Sequence, residues 1–136
     1  MKSIGFVGLG AMGSVMAPLP VKAGFTVTGF DPSVHLDESS GVFMAANLND
    51  LASCAAIVLM LPDSTVVTKV ATSLAQAGFA GLLIDMSSSQ PDGTIALGKQ
   101  LVESVIRRID APVSGGRKKA ALGTLMVMAG GSAADL

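Results

Sequence analysis

The chain has 136 residues, with 9 Lys and Arg against 10 Asp and Glu and a formal charge of −1; length alone predicts one domain. Half the residues are hydrophobic and 14% are charged, which excludes intrinsic disorder and leaves too little positive charge for a nucleic-acid binder. One cysteine, Cys54, excludes an intramolecular disulfide framework and a multi-cysteine metal site, so no metal is expected and a reducing, cytoplasmic compartment is the simplest reading.

In chain order, Ile4 to Val7 is an apolar run stopped by Gly8 and predicts a buried strand. Ala11 to Ala23 is apolar without strand alternation, and Gly24 closes it as a helix-terminating glycine would. Pro18 and Pro20 fall inside that helix; each interior proline deletes a backbone hydrogen bond and typically costs about 3 kcal/mol, so a kink or break is expected near Ala17. The longest uncharged run, Ser3 to Val21, also raises the questions of a membrane span and of a signal peptide behind Lys2. Its four glycines and two prolines suit neither a spanning helix nor a leader, and no membrane association is expected.

Phe25 to Phe30 is β-branched and aromatic ahead of Asp31-Pro32, a second strand. Ser33 to Ser40 reads as a short helix and Val42 to Ala45 as a short strand. Asn47 has N-cap character with Asp50 three residues on, so Leu48 to Ser53 should begin helically. Ala55 to Leu61, ended by Pro62, reads as a strand buried on both faces. Asp63 or Ser64 should cap a helix through Ala77 that Gly78 ends, and Gly81 to Asp85 is the next strand. Pro91 sits at a helix start; Thr94 to Val105 carries Ile95, Leu97, Leu101, Val102 and Val105 at helical spacing. Ile106 to Ala111 and Leu125 to Ala129 are further strands, and Ser132-Ala-Ala-Asp135 has capping-box-like spacing. Strands alternating with helices of ten to fifteen residues predict an α/β fold: a Rossmann-type, doubly wound, mainly parallel sheet covered by helices on both faces.

Gly8-Leu9-Gly10-Ala11-Met12-Gly13 is a G-x-G-x-x-G loop, placed directly after a predicted strand and opening a predicted helix. In that context Gly8 permits the tight turn, Gly10 lets a pyrophosphate approach the backbone, and Gly13 lets helix and strand pack closely. The start of the helix offers free N–H groups to the phosphates. Asp31 follows Gly8 by 23 residues, at the end of the second strand, where a carboxylate accepts hydrogen bonds from the adenosine ribose. The same carboxylate repels a 2′-phosphate, and no Arg or Lys follows in Pro32-Ser33-Val34, so NAD is favoured over NADP.

Charge is uneven: seven acids and one base, Lys69, lie between Ala23 and Gly98, whereas six bases and two acids lie between Lys99 and Lys119. Solvated surface explains this; a positive rim that attracts a small anion is the sharper reading.

Three more segments complete a pattern: Leu59-Met-Leu-Pro-Asp63, Asp85-Met-Ser-Ser-Ser-Gln-Pro91, and Asp110-Ala-Pro-Val-Ser-Gly-Gly116 with Gly123-Thr-Leu125 and Ala129-Gly-Gly131. Together with the glycine loop they resemble the β-hydroxyacid dehydrogenase family, over nearly the whole chain. That family includes 3-hydroxyisobutyrate dehydrogenase, tartronate semialdehyde reductase and 6-phosphogluconate dehydrogenase. The resemblance implies that Gly8, Leu9, Gly10, Ala11, Met12, Gly13 and Asp31 hold adenosine and pyrophosphate, with Leu61 and Pro62 lining the cofactor cleft. It implies that Ser88, where the family has Thr, touches the cofactor near the nicotinamide, and that Ser87, Ser114, Gly115 and Gly116 hold a small hydroxy-acid substrate. It implies that residues 1–136 form the dinucleotide-binding domain, truncated before a helical second domain. The family's catalytic lysine would then lie beyond Leu136, and a homo-oligomer would be expected only of a longer form.

This chain departs from the family pattern at Leu19-Pro20, Ser88 and Lys119. Lys118 and Lys119 read as a solvated basic patch with Arg117, His35 as a surface residue near the adenosine end, Cys54 as a small buried hydrophobe, and the scattered methionines as core. Two functions fit: the NAD-binding half of an oxidoreductase that moves a hydride between a nicotinamide cofactor and a small hydroxy acid, or a stand-alone dinucleotide-binding module without catalytic activity.

Overall fold

Six parallel strands form the main sheet: β1 (Ser3–Val7), β2 (Thr26–Phe30), β3 (Phe43–Met44), β4 (Ala56–Leu59), β5 (Leu82–Asp85) and β6 (Arg107–Asp110), in the spatial order β3-β2-β1-β4-β5-β6. The structure is a computed structural model and describes residues 2–87, 97, 101 and 104–136. The chain winds outward from β1 to β3, then returns to the other side of β1 and continues through β4 to β6. The order therefore reverses between β1 and β4, and a crevice opens there at the carboxyl ends, where sheets of this kind bind ligands. Register pairs Val7 with both Phe30 and Leu59, Leu59 with Asp85, and Asp85 with Asp110. Gly8, Asp31, Met60 and Met86 thus leave the sheet side by side.

Alternation along the strands divides the core between the two faces. Phe6 and Val58 pack with Val27, Met16 and Ala17 on one side; Val7, Ile57 and Leu59 pack with Leu51, Leu74 and Leu83 on the other. Both faces are covered, as an all-parallel sheet requires. The second side is closed by α3 (Ser64–Gln76), which buries Val67, Ala71 and Leu74. Asp63 caps this helix by accepting the Val66 N–H at 3.0 Å, and Gly78 ends it at φ +90°, both as the sequence predicts. Asn47 donates its N–H to Asp50 at 3.1 Å, but the segment it opens, Leu48–Ser53, is a 3₁₀ helix.

The helix predicted over Ala11 to Ala23 is broken at the expected place, into α1 (Gly13–Met16) and α2 (Pro18–Lys22), with Ala17 capping both. Pro18 opens α2 and Pro20 is its third residue. The first N–H groups of a helix have no intrahelical acceptor, so after the break neither proline deletes a bond the helix would otherwise make. Pro20→Leu should therefore leave stability within about 0.5 kcal/mol, as for a surface substitution away from a structural device. A thermal melt should find the midpoint moved by less than about 3 °C; a clear gain would mean that the break is still costing the fold energy.

Four expectations are corrected. The short helix expected over Ser33 to Ser40 is only a 3₁₀ turn, Glu38–Ser40: Asp31 accepts the N–H groups of Ser33 at 2.8 Å and Val34 at 3.1 Å as a helix cap would, but the chain is extended at Asp37, which caps only the short turn by accepting the Ser39 N–H. Val105, expected on the buried face of a helix, is 72% exposed. There Ser104 donates its hydroxyl to the Leu101 carbonyl at 2.8 Å and accepts the Ile106 N–H at 3.3 Å, turning the chain and leaving Val105 at the corner. The rest of the helix expected from Pro91 and Thr94 lies outside the described residues, apart from Leu97 and Leu101, which are buried one turn apart. Finally, the last strand is shorter than expected and stands off the main sheet: β8 (Met126–Val127) pairs antiparallel with β7 (Val113–Ser114) across α4 (Gly116–Leu122). The helix start expected at Ser132 is a turn in which Ser132 donates its hydroxyl to Asp135 at 2.7 Å, while Asp135 also pairs with Arg107 at 2.8 Å.

Candidate functional site

The crevice between β1 and β4 is a cleft of about 590 Å³. Its walls are Gly8, Gly10, Ala11, Met12 and Gly13 after β1, Asp31 and Pro32 after β2, Met60, Leu61 and Pro62 after β4, and Val66 on α3. The structure thus brings most of the predicted cofactor residues onto one surface. Pro32, Met60 and Val66 were not singled out from the sequence; the first two adjoin residues that were.

The three glycines of the loop differ in what surrounds them. Gly8 has φ +95°, a conformation L side chains rarely adopt, and a Cβ there would overlap the Met60 carbonyl oxygen. A Cβ on Gly13 would overlap the Gly8 carbonyl oxygen. These two let the loop fold back against β4 and against itself. Gly10 is different: nothing lies within 4 Å of the place its Cβ would take, and it lines the open cleft. The protein's own packing does not require glycine at this position, whereas a ligand lying along the loop backbone does.

Leu9 points the other way, into the core at 1% exposure, and reaches the site only through its N–H, which donates to Asp31 at 2.8 Å. Asp31 therefore ties the end of β2 to the glycine loop. Its Oδ1 accepts from Ser33 and Val34 and its Oδ2 from Leu9. A carboxylate has about four acceptor positions, so one position on Oδ2 is left for a hydroxyl in the cleft.

Ser87 is buried, and its hydroxyl accepts the Leu61 N–H at 2.8 Å and lies 3.5 Å from the Leu59 carbonyl. Its own N–H donates to Asp85 at 3.0 Å. The serine thus straps the Leu61-Pro62 wall to the end of β5. Ser88 lies outside the described residues. Ser114, Gly115 and Gly116 are exposed beside the cleft and do not line it; Gly115 at φ +138° and Gly116 at φ +73° turn the chain from β7 into α4. Ala120 fixes α4 against the core that holds Met16 and Ala17, and Arg117 donates its Nε–H to the Ala11 carbonyl at 3.0 Å. Sequence reading put Arg117 in a solvated patch. The contact spans 106 residues, and its only local signal was the position after the Ser-Gly-Gly turn.

Asp85 is fully buried and lies 3.8 Å from the Arg108 guanidinium. Burial pushes the neighbouring Asp110 carboxyl above its usual range, with Arg108 opposing the rise and Asp85 adding to it. This group joins the ends of β5 and β6 away from the cleft lining. Burial also raises the Cys54 thiol, against a hydrogen bond to Ser3, which makes it a poor thiolate. His35, Lys118 and Lys119 are exposed. Among the described residues no cluster of His, Cys, Asp or Glu is placed to hold a metal, and no helix is long and apolar enough to cross a membrane.

Comparison with known proteins agrees with this geometry. The family described as the NAD binding domain of 6-phosphogluconate dehydrogenase matches residues 3–136. The chain is 37% identical to 2-(hydroxymethyl)glutarate dehydrogenase of Eubacterium barkeri, over 96% of this chain and 46% of that protein. It is 35% identical to the NAD-dependent L-serine dehydrogenase of Pseudomonas aeruginosa, over 100% of this chain and 48% of that one. Among solved structures, Mycobacterium tuberculosis 3-hydroxyisobutyrate dehydrogenase with L-serine superposes with a TM-score of 0.90 at 33% identity, covering 99% of this chain and 48% of the other. The chain spans about half the length of the curated relatives it matches.

Proposed function

The chain belongs to the family of the NAD binding domain of 6-phosphogluconate dehydrogenase, and from that premise we propose that its cleft holds NAD in preference to NADP, as the nucleotide half of an oxidoreductase acting on a small hydroxy acid. The observation that carries this reading is the bare Gly10 facing the same cleft as the one free acceptor position of Asp31. Loop backbone N–H groups around Gly10 bind the pyrophosphate, and Asp31 accepts from the adenosine ribose while repelling a 2′-phosphate. Leu61 and Pro62, held by Ser87, form the apolar wall that orients the cofactor and excludes water. Bound NAD supplies the hydride acceptor. Ser114 and the N–H groups of Gly115 and Gly116 are assigned to the substrate carboxylate, which they grip without bringing a full charge to the reacting carbon. The hydroxy-acid class is supported by the dehydrogenase names of the relatives.

A fluorescence titration tests the reading. NADH should bind at least about tenfold tighter than NADPH, a difference of about 1.4 kcal/mol, and Asp31→Ala should narrow that gap. Tighter binding of NADPH by the unaltered chain would overturn the preference; no binding of either would overturn the function.

A further inference from the structure

We infer that Arg117 is a ligand of the cofactor's pyrophosphate, delivered to the glycine loop from the far end of the chain; this rests on the cleft being the NAD site. Three observations lead there. Arg117 is the second residue of α4, and α4 is pinned to the α1 side of the core through the fully buried Ala120. Its Nε–H bonds the carbonyl of Ala11, which stands between Gly10 and Met12 on the cleft wall. Among the described residues no carboxylate pairs with its guanidinium.

The chemistry of the side chain does the rest. A guanidinium has five N–H donors, and the bond to Ala11 uses the one on Nε. That bond fixes the plane of the group while leaving both terminal nitrogens and the whole positive charge available, because a peptide carbonyl neutralises nothing. The remaining fork matches the oxygens of a phosphate. Lys118 and Lys119 are also exposed and cationic, but neither makes a hydrogen bond to the glycine loop among the described residues. Arg117 differs from its neighbours by its anchor, and the anchor is the loop whose bare glycine opens on the ligand space. The basic segment that reads as solvated surface in the sequence thus contributes one member to the site.

Binding measurements on this chain separate the possibilities. Dissociation constants for NADH, ADP-ribose and adenosine are compared in the unaltered chain, Arg117→Ala and Lys118→Ala, with thermal midpoints recorded alongside. Arg117→Ala should weaken NADH and ADP-ribose alike, by about tenfold, with adenosine and the midpoint unchanged, and the deficit should shrink in high salt. Lys118→Ala should bind as the unaltered chain does. Equal NADH affinity in Arg117→Ala would overturn the inference. So would an equal loss for adenosine, which carries no phosphate, or an equal loss in Lys118→Ala, which would mean bulk charge. Failure of the unaltered chain to bind NADH would instead sink the reading of the cleft itself.

Discussion

Gly10→Val should lower NADH affinity by at least about a hundredfold and leave the thermal midpoint where it is. The two halves of this expectation come from one observation. No atom of the protein beyond its chain neighbours lies within 4 Å of a Cβ placed on Gly10, and its φ is not in the left-handed region, so a Cβ there meets neither a clash nor strain. It meets only the cleft, where it holds the pyrophosphate away from the loop N–H groups. Hydrogen bonds to charged groups are worth about 1.5–3 kcal/mol each, and losing two of them exceeds a hundredfold in binding. Gly13→Ala is the mirror image: its Cβ falls on the Gly8 carbonyl oxygen, so it should lower the midpoint first and affinity only as a consequence. The check is a fluorescence titration with NADH beside a thermal melt of each variant. Retained affinity in Gly10→Val would show that the pyrophosphate does not run along this loop.

How much of this was legible in the sequence follows from the range of the interactions involved. Features set by neighbours a few residues apart were readable: the Asp63 cap, the pairing of Asn47 with Asp50, the stop at Gly78 and the break at Ala17. The central strands β1 and β4 were readable too, because residues buried on both faces give apolar runs. The glycine loop and Asp31 were recognisable because their separation is itself the geometric requirement. Features held by distant partners were not. Nothing near Ser87 says that its hydroxyl faces the Leu61 N–H, 26 residues back. The bond from Arg117 to Ala11 and the bridge of Asp110 to Gly130 likewise leave no local mark. That is why the segment from β7 to β8, which turns on those contacts, was read as one strand of the main sheet and a patch of surface charge. Ser33 to Ser40 failed for a subtler reason: Asp31 accepts the first N–H groups as a helix cap does, but the chain is extended again at Asp37, which caps only the 3₁₀ turn.

Given NAD and 3-hydroxyisobutyrate or glycerate, this 136-residue chain should form NADH far below the roughly 1 to 10³ turnovers per second of ordinary enzymes. Hydride loss from a carbinol carbon requires that the hydroxyl proton leave, and a positioned acid or base typically contributes about 10²–10⁴-fold. Such a group must reach the proton it moves. Among the described residues Asp31 is the one carboxylate lining the cleft, and it is held by three N–H groups at the β2 end. His35 is exposed in the connection beyond that same end, and Cys54 is buried with its thiol pushed up. Lys119 comes nearest the assigned substrate turn: its Cδ lies 3.0 Å from the place of a Cβ on Gly115. Its exposed stem is packed there by contact with the turn, not aimed by hydrogen bonds, so nothing orients its amine as catalysis needs. Among the described residues, then, none is placed to transfer the proton. The measurement is absorbance of NADH at high concentration of purified chain. Sustained turnover near one per second would place a proton-transfer residue within the chain, and Lys119→Ala is then the variant that decides: loss of that turnover with NADH affinity unchanged would identify Lys119 as the group, standing beside the Ser114-Gly115-Gly116 turn.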